Sequence, residues 1–196
     1  MKAVLISVRP EWVHKILDGR KTIEIRKTAP KIAAPFKCYI YCTLSGSNEL
    51  FREILNGDVA EWNRGRWADR KGNVVAEFVC DNIRSFDVPY PAFQKEMNKS
   101  IMEQSCLTYY QLHRYAYHDK LYGWHISNLK VYDKPKNLCE FFYPCEKQKY
   151  PYCFDCKQSL QKGEERLMDG MRHYDVPCGN WVKRPPQSWC YVEDSL

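Results

Sequence analysis

Lys21, Glu24 and Arg26 lie within one short stretch, Gly19–Arg26, read GRKTIEIR, and Arg9 stands a few residues upstream. A lysine beside a carboxylate forms an acid–base pair once desolvation brings the amine toward neutral pH. A carboxylate such as Glu24 accepts hydrogen bonds from an amine or amide edge, and arginines offer planar forks of N–H donors to phosphate or other planar polar groups. Together these residues suit a pocket for a polar, planar or phosphorylated ligand. The same pattern also fits a solvated salt-bridge face on a strand, which would have no chemical role.

A second constellation lies near the end of the chain. Cys145, Cys153, Cys156 and Cys178 are spaced C-x7-C-x2-C-x21-C. The C-x2-C knuckle brings two thiolates from one tight turn to the same ion, and a remote pair closes a tetrahedral site. The surrounding segment is polar and poorly patterned, so it cannot build a core of its own and needs a staple. Zinc is the ion that four thiolates select, and such a closed site is structural. His173, Cys139 or Cys190 could replace Cys145 or Cys178 in the set. Cys38, Cys42, Cys80 and Cys106 fall in or near strands and helices and read as small buried hydrophobes.

The elements that must position the first cluster are legible from periodicity. Lys2–Val8 is rich in Val, Leu and Ile and predicts a buried strand. Arg9-Pro10-Glu11 opens a helix, with proline suited to the first turn and Glu11 at the positive end of the dipole. Trp12, Val13, Ile16 and Leu17 give that helix one apolar face, and Gly19 stops it. Thr22–Lys27 alternates, with Thr22, Glu24 and Arg26 on one face and Ile23 and Ile25 on the other, inward one. Further strands are expected over Phe36–Leu44, Asn73–Arg84, Tyr122–Tyr132 (with a bulge) and Trp189–Glu193. Helices are expected over Asn48–Asn56, Lys95–Glu103 and Leu107–Tyr115, the last capped by Thr108. Five or six strands with flanking helices place the chain in the α+β class, with an antiparallel or mixed sheet curled into a small barrel.

Bulk properties narrow the function. The 196 residues fit one ordinary domain with a small appendage, and 44% hydrophobic content supplies a real core, so the chain is not disordered. A net charge of +6 favours anionic partners. The 14 Tyr and 6 Trp either fill a β-rich core or line a groove that stacks planar ligands. No run approaches the ~20 apolar residues of a membrane span, and the apolar stretch of MKAVLISVRPEW is too short for a signal peptide. A cytoplasmic protein with reduced cysteines is therefore expected. The five histidines, His113, His118 and His125 among them, show neither metal-ligand nor triad spacing. GxSxG, P-loop and GxGxxG motifs are missing, which removes the signals for a nucleophile elbow, NTP use and dinucleotide use.

GRKTIEIR, in its context of strand, proline-started helix, glycine and strand, resembles the G-x-K-T-x-E-x-R signature of the ASCH family, a branch of the PUA-like superfamily. VVAEFVCDNI (Val74–Ile83), SCLTYYQL (Ser105–Leu112), YGWHISNLKVYDKPKNLCEF (Tyr122–Phe141) and RPPQSWCYVE (Arg184–Glu193) resemble that family in the same order. The ending, after a Cys-rich insertion, is similar to a bacterial and phage subgroup. The resemblance implies a PUA-like mixed or antiparallel β-barrel of about five to six strands. It divides the chain into residues 1–142 plus 184–196 as the barrel and 143–183 as the zinc-stapled insertion. It also implies a central cleft for RNA or a nucleoside, with Arg9, Trp12, Lys21, Thr22, Glu24 and Arg26 as ligand contacts.

Some small members of the family hydrolyse N4-acetylcytidine with a lysine, a threonine and a glutamate. The lysine falls on Lys21, the glutamate on Glu103 and the threonine on Glu24, which has no hydroxyl to act as nucleophile. Three functions follow in order: an RNA- or nucleoside-binding domain; a hydrolase of acylated cytidine or RNA using Lys21 with Glu24 or Glu103; and a protein-interaction adaptor docking through the Cys-rich insertion.

Overall fold

The computed structural model describes residues 2–44, 70–144, 166–168, 171–173 and 181–194. Strand β1 (Lys2–Val8) is buried from Ala3 onward, on both faces. Its side chains alternate between two cores, as a period of two requires. Val4, Ile6 and Val8 enter one cluster with Val13 and Ile16, and Ala3 and Leu5 enter another with Tyr39, Phe141 and Val192. Helix α1 (Pro10–Leu17) follows, with Pro10 in its first turn and Asp18 as C-cap. Gly19 ends it at φ +78°, a left-handed conformation that glycine adopts without a Cβ penalty. The Lys21 amide then donates back to the Lys15 carbonyl at 2.8 Å, so the turn out of the helix fixes where β2 (Ile23–Arg26) starts.

Strands β3 (Phe36–Cys42), β4 (Val74–Cys80), β5 (Ile83–Phe86), β6 (Leu121–His125), β7 (Ser127–Lys136) and β10 (Trp189–Glu193) complete two sheets. The first has the order β10-β1-β3-β4-β7 and the second β2-β6-β5. Among the described strands only β1 and β3 run parallel, with α1 and β2 in the crossover between them. Helices α2 (Lys99–Ser105) and α3 (Tyr109–Ala116) pack beneath the smaller sheet around Ile25, Leu112 and Leu121. Thr108 caps α3 in a reciprocal capping box with Gln111. A separate hairpin pairs β8 (Arg166–Met168) with β9 (Met171–His173). Phe142 and Trp181 form an isolated antiparallel bridge.

The mixed α+β class is as expected, but the expected closed barrel is replaced, among the described residues, by two sheets with separate edges. The strand count rises because two predicted strands each divide. Asn73–Arg84 breaks at Asp81-Asn82 into β4 and β5, and Tyr122–Tyr132 breaks at Ile126 into β6 and β7. Each half joins a different sheet, and the expected bulge is present at the start of β7, where the three-residue step from Ser127 to Lys130 faces the two-residue step from Val79 to Glu77 and Asn128 takes φ 49°. The helix expected over Lys95–Glu103 is a 3-10 turn, Pro91–Glu96, followed by α2. Asn48–Asn56 lies outside the described residues, as do Cys145, Cys153, Cys156 and Cys178.

Gly123 on β6 lies opposite Ile25 and Arg84, between β2 and β5. A Cβ there would meet Ile23 Cγ2 at 3.0 Å, so the missing side chain lets the two neighbouring strands pack across β6.

Candidate functional site

Strand β2 has charged residues on one face, and that face is not exposed to solvent. Ile25 turns into the core with α2 and α3, while Glu24 and Arg26 turn toward the end of β1. Lys21, Glu24 and Arg26 are only 2%, 7% and 7% exposed. Glu24 lies between the two cations, with Lys21 Nζ at 3.3 Å from Oε2 and Arg26 Nη2 at 3.1 Å from Oε1. Arg26 Nη2 also donates to the Ser7 carbonyl at 2.7 Å, and Lys21 Nζ to the Ser105 carbonyl at 2.8 Å. The triad therefore clamps β2 to the end of β1 and to the end of α2. A solvated salt-bridge face does not describe it.

Removing three charges from water is costly, and the network meets that cost by pairing. Burial pushes the Lys21 amine below its ordinary value of 10.5, Glu24 opposes that shift, and Arg26 adds to it. Arg26 Nε is buried with no hydrogen-bond partner. A buried guanidinium donor left open is expensive unless something else accepts from it.

Above the triad is an open cleft of about 1040 Å³. β1 contributes Ser7 and Val8, the start of α1 Arg9, Glu11 and Trp12, and α3 Gln111, Arg114 and Tyr115. Pro185, Pro186 and Gln187 form another wall, held in place by Ser7 Oγ donating to the Pro186 carbonyl at 2.6 Å. Two cations lie over the Trp12 ring, Lys15 Nζ at 4.7 Å and Lys21 Nζ at 5.4 Å from its centre. A smaller, mostly uncharged recess of about 360 Å³ lies apart, beside Ile32, Asn82 and Tyr122.

The fold thus brings Arg9, Trp12, Lys21, Glu24 and Arg26 to one cleft. Thr22 does not line it; its backbone is tied to Gln104 and Ile126 instead. Glu103 is exposed on α2 and is absent from the cleft lining. Sequence reading missed Gln111, Arg114 and Tyr115. Their signal was the hydrophilic face of the Leu107–Tyr115 helix, but periodicity does not say which cleft that face borders. Among the described residues, no group of three or more His, Cys, Asp or Glu is placed to hold a metal ion. Cys139 is exposed, Cys190 is half-buried, and His173 lies in β9. His125 is paired with Asp81 at 2.7 Å. No described helix is long and apolar enough to cross a membrane.

No family model matches the chain, and no curated protein matches it. Solved structures of ASCH from Zymomonas mobilis are similar to it at 19% identity. A tyrosine-to-phenylalanine variant has a TM-score of 0.47, covering 70% of this chain and 77% of that one. A serine-to-alanine variant has a TM-score of 0.47 with 69% and 74% coverage, and the unsubstituted protein 0.46 with 69% and 73%. Each of these three likenesses spans about 70% of this chain.

Proposed function

We propose that this protein binds RNA or a nucleoside, modified bases included, in the cleft above Lys21, Glu24 and Arg26. The observation that carries the reading is the composition of the cleft floor. A desolvated carboxylate lies beside two desolvated cations, and all three side chains line the cleft. A nucleobase edge presents hydrogen-bond donors and acceptors side by side, and this floor answers with acceptors on Glu24 and a donor on Arg26. Trp12 and Tyr115 offer planar faces at the walls, and Arg9 and Arg114 offer cations for phosphate.

The test is binding of short labelled RNA across a salt series, with nucleosides added in thermal melts. Salt-dependent affinity or a nucleoside-induced rise in melting temperature, lost in Arg26→Ala, is the expected result. Binding of neither kind would sink the reading.

A second reading is a hydrolase acting on an acylated nucleoside or on RNA. It rests on the lowered pKa of Lys21 at the cleft floor, which moves the amine toward use as an acid–base group. Deacylation and RNA cleavage are compared between the unsubstituted protein and Lys21→Ala; equal rates in both dispose of it.

A further inference from the structure

Helix α3 borders the cleft with one part of its surface and carries a cluster of exposed aromatic rings on the part next to it. Tyr110 and Tyr117 are 69% and 78% exposed, and Tyr90, from the chain just before the 3-10 turn, is 64% exposed. The rings touch in series. Tyr117 and His118 lie 5.5 Å apart between centroids, Tyr90 and His118 5.7 Å, and His113 and His118 6.4 Å. Tyr117 and His118 also take consecutive left-handed backbone conformations, with φ of 45° and 71°. This left-handed pair begins at the C-cap of α3 and ends the helix at the ring cluster.

Arg114 links this cluster to the cleft. At 3.6 residues per turn it lies roughly 40° round the helix from Tyr110, with Gln111 roughly 100° round on the same side. Gln111, Arg114 and Tyr115 line the cleft, so a continuous polar and aromatic surface leads from the cleft wall across Arg114 to Tyr110. Lys27 also reaches this face, with Nζ 5.6 Å from the centre of the Tyr115 ring and 3.5 Å from Asp119 Oδ2, which partly offsets its charge.

The geometry points to α3 as a second contact surface for single-stranded RNA, taking the nucleotides that leave the cleft. Arg114 meets a phosphate at the cleft edge, and Tyr110, Tyr117 and His118 stack the following bases. Exposed rings interleaved with cations on a chain of net charge +6 match a polyanion whose every unit carries a flat π face. The inference rests on the cleft holding RNA or a nucleoside, and its test separates the two.

Labelled oligoribonucleotides of two and about 12 residues, a span typical of single-strand sites, are titrated by fluorescence anisotropy. The proteins are the full chain, Tyr110→Ala/Tyr117→Ala, Arg114→Ala and Arg26→Ala. The 12-mer should bind at least about tenfold tighter than the dinucleotide, and the double tyrosine variant should lose most of that gain while keeping its dinucleotide affinity and melting temperature. Arg114→Ala should reduce the salt slope by about one. A 12-mer that binds no tighter than the dinucleotide, or is indifferent to the tyrosines, overturns the inference and makes a protein the better occupant of this face. Dinucleotide binding that survives in that case, and is lost in Arg26→Ala, leaves the cleft reading intact. If neither RNA binds, the inference falls, and the nucleoside melts alone decide the cleft reading.

Discussion

Glu24→Gln is the substitution that most directly tests the buried triad. The carboxylate is the sole acid between Lys21 and Arg26 in the described network, and all three side chains are nearly inaccessible. The amide is almost isosteric, so packing is kept while the charge is lost. Two buried cations then lack a counter-charge, and one partner of a buried ion pair typically costs about 3–5 kcal/mol to remove. For a chain of this size each kcal/mol moves the melting temperature by about 2–4 °C, so a fall of roughly 6–20 °C is expected at neutral pH.

The pH dependence has a definite sign. In the unfolded chain Lys21 titrates at its ordinary 10.5, and in the folded protein burial sets it lower. Between those two values the unfolded chain holds more protons, so stability rises with pH through that window. Glu24 opposes the shift, and removing it lowers the folded pKa further. The deficit of Glu24→Gln is therefore greatest near neutral pH and narrows as pH approaches 10.5. Chemical denaturation of both proteins from pH 7 to 10 measures it. A deficit under about 1 kcal/mol would mean the triad is effectively solvated, and one that stays constant or widens with pH would refute the role given to Lys21.

Two further predictions concern other parts of the chain. Thr108→Ala removes the capping box that starts α3 and should cost about 1 kcal/mol, read by denaturation, while Thr108→Asn should keep most of it. The Cys-rich segment is proposed to hold about one zinc ion per chain, measured by elemental analysis, and Cys153→Ser/Cys156→Ser should lose it. Elemental analysis finding no zinc in protein purified without chelator would remove the staple from consideration.

The sequence carried most of the local information around the site. Pro10 and Gly19 marked the two ends of α1, and the alternation of Ile23 and Ile25 with Glu24 placed β2. Thr108 marked the start of α3. These signals are local, set by backbone conformation and side-chain period. The breaks at Asp81-Asn82 and at Ile126 were harder to read, because apolar alternation continues past both and says nothing about which sheet a strand joins. Glu103 was assigned to the site through an approximate match, and the fold leaves it on an exposed helix surface.

GRKTIEIR by itself determined that three charges share one end of a helix–strand unit, because a glycine stop and a period of two leave little freedom. Whether those charges face water or the interior was decided by tertiary structure alone. The second sheet packs so that the polar face of β2 meets the end of β1, where the Ser7 carbonyl receives Arg26, and α2 ends where its Ser105 carbonyl receives Lys21. Both acceptors are backbone groups outside β2, and only the packing of α2 and β1 around that strand makes a buried charged floor beneath an open cleft from an ordinary alternation of charge.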